Sequence, residues 1–244
     1  MIDWLKRADI KVSGDPEIEL NGVTVPINLR RHKTARRLTL RLAPDGSEVR
    51  ITLPHWARGA EAIAFAHARA DWLAQQHAKI PTRQEAEPGS NVLYRGEELR
   101  IDWDERATRK PVRDAGSIRL GGPREGLERR LQRWLEREAL ALFEADMADY
   151  TAAAALSPVP VAISRAQRRW GSCSDKERIR INWRLVQAPD FVRRSVVAHE
   201  VAHLVHFDHS PAFHALLGDI YEGDIRQADR WLKEKGRTLY ASFG

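Results

Sequence analysis

The sequence predicts an α+β protein with a strand-rich first half and a helix-rich second half. Apolar and polar residues alternate with a period of two in several short stretches before residue 104, which is typical of half-buried strands. After residue 126, apolar residues recur at helical spacing instead. The chain contains no internal repeat and no low-complexity segment.

Two hairpins are expected near the N-terminus. Residues 18–29 alternate around Asn21-Gly22, a dipeptide that favours the tight turns of hairpins. Residues 38–42 and 49–53 alternate likewise, and Asp45-Gly46 provides a turn between them. These stretches begin the strand-rich region.

One helix and further short strands should complete this region. Apolar residues recur at helical spacing over residues 60–78, and Pro81 is expected to close that helix. The segment 106–116 is charged and predicted to be irregular. The other strands are expected near residues 92–94, 98–103 and 117–120.

Gly121-Gly122-Pro123 is the clearest break in the chain, because glycine and proline interrupt regular structure. We therefore predict an N-terminal strand-rich region with one helix over residues 1–121 and a second unit over residues 122–244. A long helix should open the second unit, since apolar residues trace one helical face from Leu127 to Met147.

Length and composition are those of a folded globular protein. The 244 residues can bury a substantial core, and 43% apolar with 30% charged residues is the mix of an ordinary soluble chain. No apolar run approaches the roughly 20 residues that a membrane-spanning helix needs, and no secretory leader is recognised. Cys173 is the only cysteine and cannot form an internal disulfide, so a reducing, cytoplasmic location is expected.

The chain is basic, with a formal net charge of +6 and a pI near 9.7. Much of the charge comes from arginine pairs such as Arg30-Arg31, Arg36-Arg37 and Arg168-Arg169. A solvated basic surface is the ordinary interpretation, and no zinc-finger, RNP or basic-zipper pattern accompanies it. Nucleic-acid binding through this surface stays open, because charge alone does not decide.

The last third of the chain alternates strands and helices. Strands are expected at residues 161–164 and 178–183, with 170–174 between them. Ala188-Pro189-Asp190 opens a helix that includes His199. Ser210-Pro211 marks the start of the next helix, as an N-cap residue followed by proline at the first helical position.

A metal-binding motif lies on the first of these helices. His199, Glu200 and His203 form the pattern His-Glu-x-x-His. Residues four apart on a helix share one face, so two imidazoles can converge on one ion. Neutral imidazole suits zinc, and a carboxylate at the adjacent position can reach a water on the metal. The pattern predicts a catalytic Zn²⁺ site, since a structural site needs no base beside the metal.

A catalytic zinc site needs a third protein ligand, and the sequence offers three candidates. On an unbroken helix the Cα of His206 would lie roughly 7 Å along the axis from the midpoint of the first histidine pair. His209 can approach instead if the chain turns back after Phe207-Asp208, because aspartate tolerates turn geometry. His209 is therefore favoured over His206, with Glu222 as a weaker third option.

The chemistry of such a site predicts how it would act. Zinc lowers the pKa of its water to about 7, so Glu200 can take a proton as the water attacks a peptide carbonyl. The protonated Glu200 can then donate this proton to the amine that leaves. If residues 178–183 form a sheet edge, Asn182 is a candidate for substrate contact.

The candidates for stabilising the oxyanion are His206, Tyr221, Tyr240 or a nearby arginine, and the sequence does not choose among them.

Five segments around the motif form a combination far more specific than the five-residue pattern. They are Arg169-Trp170-Gly171-Ser172-Cys173-Ser174, Ile179-Arg180-Ile181-Asn182-Trp183-Arg184-Leu185, Ala188-Pro189, the His-Glu-x-x-His itself, and His209-Ser210-Pro211-Ala212-Phe213. This combination resembles the YgjP-like metallopeptidases, which are related to SprT-like and other small zincins. Residues 36–54 and the helix around Trp72 also look like the N-terminal portion of that family, so the resemblance covers most of the chain.

The resemblance implies a zincin-like fold for the second unit, with His199, His203 and His209 as metal ligands and Glu200 as the catalytic residue. Two positions depart from the family pattern. Asp208 stands where asparagine is usual, and His214 stands where tryptophan commonly follows Phe213. Neither change removes a ligand, although the second can alter the shape of the pocket.

The leading functional prediction is zinc-dependent hydrolysis of peptide bonds in a protein or peptide substrate. The alternative is a nucleic-acid-associated binding module with a structural zinc site, or a peptidase that acts on DNA-bound proteins. No membrane partner is predicted.

Overall fold

The structure, a computed structural model, describes residues 15–43, 45–80, 84–174, 176 and 178–243. These residues form six α-helices and eleven strands, which confirms the predicted α+β class. Contacts divide the chain into two compact units, Met1–Pro81 and Thr82–Gly244. Each unit buries an apolar core of its own.

The first unit is a four-stranded sheet backed by two helices. Asn21 and Gly22 both have positive φ and form the turn of the first predicted hairpin. The second predicted hairpin is also confirmed, since its two strands pair antiparallel. In chain order the elements are β1 (Glu17–Leu20), β2 (Val23–His32), β3 (Thr39–Leu42), β4 (Val49–Pro54), α1 (Gly59–His67) and α2 (Ala70–His77), with sheet order β1-β2-β4-β3.

The single helix predicted over residues 60–78 is wrong in one respect, because the chain forms two helices there. The backbone leaves the helical region at Arg69, with φ of −115° and ψ of 17°. No glycine or proline marks this break in the sequence. Leu73 of α2 is fully buried in the core of this unit. Pro81, the predicted terminator, lies outside the described residues.

The second unit begins with another four-stranded sheet. All three strands predicted for this stretch are present, and a further short strand lies in the segment 106–116 that was predicted to be irregular. All three residues of this strand are exposed. The sequence therefore lacks the alternation of buried apolar and exposed polar residues from which a strand is predicted. The elements are β5 (Asn91–Tyr94), β6 (Glu97–Trp103), β7 (Val112–Asp114) and β8 (Ser117–Leu120), with sheet order β5-β6-β8-β7.

This sheet shares its core with the long helix α3 (Leu127–Ala153). The rings of Tyr94 and Trp134, for example, lie 5.2 Å apart between centroids. The chain therefore divides between Pro81 and Thr82, whereas the sequence predicted a division between residues 1–121 and 122–244. The glycine-rich break after β8 separates two elements of one core.

A three-stranded sheet and three helices complete the second unit. The long helix α3 and the start of α5, where the N-cap Ser210 accepts a hydrogen bond from the Phe213 N–H at 3.4 Å, are both as predicted. Helix α4 packs against α3, α5, α6 and β10. The remaining elements are β9 (Val161–Ser164), β10 (Gly171–Cys173), β11 (Ile179–Asn182), α4 (Asp190–Ala202), α5 (Pro211–Ile220) and α6 (Ile225–Lys235), with sheet order β10-β11-β9.

A buried ion pair fixes α4 against α3. Arg193 Nε lies 2.7 Å from Asp146 Oδ2, and both side chains are only 3% exposed. Arg194 Nη1 lies 2.9 Å from the other oxygen of the same carboxylate. Two donors thus compensate a carboxylate that burial would otherwise destabilise. Within the described part of the chain, no helix has the length and apolar character to cross a lipid bilayer.

We expect Asp146→Ala to destabilise the second unit by about 3 kcal/mol, because it leaves the Arg193 guanidinium buried without its main partner. Asp149→Ala is the matched control. Asp149 also pairs with Arg194, but its side chain is 60% exposed, so its loss should cost at most about 1 kcal/mol. Urea unfolding followed by tryptophan fluorescence measures both, and equal midpoints for the two variants would contradict this assignment.

Candidate active site

Three histidines converge where α4 ends. His199 lies in its last turn, His203 is its C-cap residue, and His209 lies in the loop before α5. His199 Nε2 is 3.1 Å from His203 Nε2 and 3.3 Å from His209 Nε2. One ring nitrogen from each residue lies within 4.8 Å of the others. The structure thus brings together the three histidines that the sequence analysis selected.

Two of the three separations in this cluster are close to those between metal ligands. Ligand atoms that sit 2.0–2.1 Å from zinc in a tetrahedron are about 3.3–3.4 Å apart, compared with 3.1 and 3.3 Å for the two pairs that include His199, and the third pair lies within 4.8 Å. Burial, with smaller contributions from His203 and His209, lowers the pKa of His199 to about 4. The imidazole is therefore neutral at neutral pH, which is the form that binds a metal. The donor set therefore fits a divalent ion.

The surroundings hold the rings in place. The His203 Nδ1–H donates a hydrogen bond to the His206 carbonyl at 2.9 Å, so its Nε2 is directed at the cluster. The buried Phe213 ring lies behind all three imidazoles, with centroid distances of 5.0 Å to His199, 4.6 Å to His203 and 4.9 Å to His209.

The other two ligand candidates lie outside the cluster. His206 contributes its backbone carbonyl to the His203 ring, and its own ring is not part of the group. Glu222 accepts a hydrogen bond from Tyr150 Oη at 2.8 Å and pairs with Arg194 Nε at 2.5 Å. Its carboxylate therefore belongs to the ion-pair network between α3 and α4.

Glu200 lines the same cavity as His199, and its carboxyl packs onto Gly171 of β10. A Cβ at position 171 would lie only 2.3 Å from Glu200 Oε1, so the strand offers room for the carboxyl because it has no side chain there. Burial raises the pKa of the Glu200 carboxyl to about 7, against the charge of Arg169 and a hydrogen bond from the Cys173 backbone. A carboxyl with that pKa can accept and return a proton near neutral pH.

The expectation that residues 178–183 form a sheet edge is wrong. β11 lies between β10 and β9, so both of its sides are paired. Asn182 is fully buried, and its Nδ2 donates to the Ala166 carbonyl at 2.7 Å. It stabilises the loop before β10 and is not placed to contact a substrate. Among the described strands, β10 is the edge strand nearest to Glu200.

Two of the residues considered as oxyanion donors already use their hydroxyl protons. Tyr221 Oη donates to the Phe191 carbonyl at 2.7 Å, and burial raises the pKa of its hydroxyl to about 12. Tyr240 Oη donates to the Ala166 carbonyl at 3.4 Å. A hydroxyl has a single proton to donate, so neither tyrosine is free for that role in this arrangement.

A cavity of about 240 Å³ opens next to Glu200 and His199. An apolar cavity of about 150 Å³ can hold a benzene ring, so this space is large enough for a side chain of a bound peptide. It lies between β10 and the helices α4, α5 and α6. Its other lining residues are Trp170, Gly171, Ser195, Val196, Leu217, Ile225, Asp229 and Leu232.

Sequence reasoning missed the role of Gly171 and placed Trp170 in the core by default. The glycine was visible as part of Trp170-Gly171-Ser172, but which side chain packs on it depends on the strand pairing. Trp170 is half-buried, contacts Tyr240 at 5.8 Å between ring centroids, and lines the cavity. Trp183 and Phe213 are fully buried, as expected for core aromatics.

One of three comparisons with known proteins found a match. A model of the YgjP-like metallopeptidase domain matches residues 36–235. The match spans part of the first unit and nearly all of the second. Searches of curated proteins and of solved structures returned no match.

We expect His209→Ala to lower the affinity for zinc by at least tenfold, because it removes one of the three nitrogens of the cluster. The matched control is His206→Ala, since the ring of His206 lies outside the cluster and the carbonyl that orients His203 is retained. Competition with a chromophoric chelator measures both affinities. Equal losses in the two variants would show that His209 has no special part in binding.

Proposed function

Because the chain belongs to the YgjP-like metallopeptidase family, we propose that it is a zinc-dependent peptidase in which His199, His203 and His209 bind the metal and Glu200 is the catalytic base. The family assignment implies a metal and a protein or peptide substrate. The observation that carries the finer proposal is the set of three imidazole nitrogens, with separations of 3.1 and 3.3 Å, beside a buried carboxyl.

The number of ligands supports a catalytic site over a structural one. Structural zinc sites are closed by four protein ligands, whereas catalytic sites use three and leave a position for water. Among the described residues the cluster offers three histidines. A glutamate beside the open position would serve no purpose in a closed site.

The chain's own groups define the proposed reaction. When bound, zinc makes a water molecule acidic enough to lose its proton near neutral pH. Glu200 takes that proton as the water attacks the substrate carbonyl, and it then protonates the amine that leaves. Gly171 and the Cys173 backbone hold the carboxyl in position, and the cavity lined by Trp170 accommodates a neighbouring substrate side chain.

Glu200→Gln tests the proposed base directly. We expect the variant to retain zinc and to lose at least about 100-fold in the rate of peptide cleavage, because an amide cannot accept the proton. Metal content and cleavage of a fluorogenic peptide library are measured on the same samples. Glu144→Gln, an exposed glutamate on α3, should leave both unchanged. Equal cleavage by wild type and Glu200→Gln would refute the mechanism.

Gly171→Ala tests the platform beneath the carboxyl. The new methyl group would overlap Glu200 Oε1, so we expect the side chain to turn away, with zinc retained and cleavage reduced at least tenfold. Gly218→Ala is the matched control on α5, where an added Cβ meets nothing within 4 Å. The control should cleave normally, and full activity in Gly171→Ala would contradict the proposed placement of Glu200.

A further inference from the structure

The outer face of the first unit's sheet carries a row of arginines. Along its strands, apolar side chains such as Ile27 and Ile51 are buried against α1 and α2, and the intervening residues face away from the helices. Arginines occupy three of these outward positions, on three adjacent strands. They are Arg30 of β2, Arg50 of β4 and Arg41 of β3.

Strand pairing brings these arginines together. Arg41 lies directly opposite Arg50, and Arg30 lies opposite Thr52, the next outward residue along β4. Neighbouring strands are about 4.8 Å apart, so the three arginines originate from a strip about 10 Å wide. The sheet thus presents a compact array of guanidinium groups to solvent.

The loop between β2 and β3 extends this charge. It adds the exposed side chains of Lys33, Arg36 and Arg37. Residues 28–43 contain six lysines and arginines and no aspartate or glutamate. The sheet and the loop together form a basic face that consists of Arg30, Lys33, Arg36, Arg37, Arg41 and Arg50.

The charges of the basic face are largely uncompensated. Arg50 Nε lies 2.5 Å from Glu48 Oε1, and the other five members form no ion pair with any residue that the structure describes. Like charges directly opposite one another on neighbouring strands are destabilising, so the pairing of Arg41 with Arg50 costs stability. A surface that is only solvated does not require like charges on facing positions. A bound polyanion would offset their mutual repulsion.

An exposed aromatic ring lies at the same end of the sheet as the loop. His32, the last residue of β2, pairs with Pro54, and Trp56 follows two residues later with 59% of its surface exposed. Arg31 Nη1 donates to the carbonyls of His55 at 2.9 Å and Ala57 at 2.7 Å. These bonds fix the backbone on both sides of Trp56, whose side chain is exposed to solvent.

We propose that the basic face and Trp56 bind single-stranded nucleic acid. Arginine and lysine neutralise successive phosphates, and a fixed aromatic ring provides a platform on which an unpaired base can stack. An acidic protein surface would also compensate the charge, but a nucleic acid combines regularly spaced negative charges with a planar base on every unit, and the bases of a duplex are already stacked on each other. The combination of clustered cations with an exposed indole therefore favours a strand whose bases are unpaired.

Fluorescence anisotropy of the full chain with labelled 15-nucleotide poly-dT and poly-U tests the proposal at several salt concentrations. The triple variant Arg30→Gln/Arg37→Gln/Arg41→Gln should bind at least tenfold more weakly. The slope of log affinity against log salt should become shallower by about 2, since each phosphate contact contributes about 0.7 for a single strand. The variant should fold, because removing Arg41 relieves a like-charge contact.

Matched controls separate a specific face from general charge. Arg129→Gln/Arg133→Gln/Arg137→Gln removes the same charge from one exposed side of α3 and should leave the affinity within twofold of wild type. Trp56→Ala should weaken binding about fivefold or more, whereas Trp72→Ala, 44% exposed on α2, should not. The proposal would be overturned if both triple variants lost the same affinity or if the protein bound duplex more tightly than single strands. Binding of polyglutamate with the same affinity as a single strand would also overturn it.

Discussion

The hydrogen bond from the His203 ring to the His206 carbonyl joins the end of α4 to the loop that returns His209 to the site. The helix has to stop at His203, because another turn would carry the chain away along the axis. Because the helix ends there, the His206 carbonyl is free to accept a hydrogen bond from His203 Nδ1. This bond directs His203 Nε2 toward His199. Ser210 then starts α5, which brings Phe213 behind the three rings.

Polar groups of the second unit are buried where they fix this geometry. Asp146 holds the N-terminal half of α4 through Arg193, six residues before His199. Glu200 is buried against a glycine of β10. Burial disfavours the charged form of both carboxyl groups. Two arginines compensate the charge of Asp146, whereas the pKa of Glu200 is raised. Stability and chemistry therefore use burial in different ways.

Features that depend on local spacing could be predicted from the sequence. Asn21-Gly22 identified a hairpin turn, and the rise of a helix favoured His209 over His206. Features that depend on packing could not be. Nothing at Arg69 marks the break between α1 and α2, and Gly121-Gly122-Pro123 does not reveal that β5–β8 join the core of α3. The order of strands around Asn182, and hence which strand is the edge, is likewise absent from the local pattern.

X-ray absorption spectroscopy of the zinc-loaded protein is the most direct test of the central claim, because it reports the atoms around the metal without reference to any substrate. We expect three imidazole nitrogens and one oxygen at about 2.0–2.1 Å from the metal. A sulfur ligand at about 2.3 Å, from Cys173 of the same or of another molecule, would contradict this expectation. A closed shell of four protein ligands would contradict it as well.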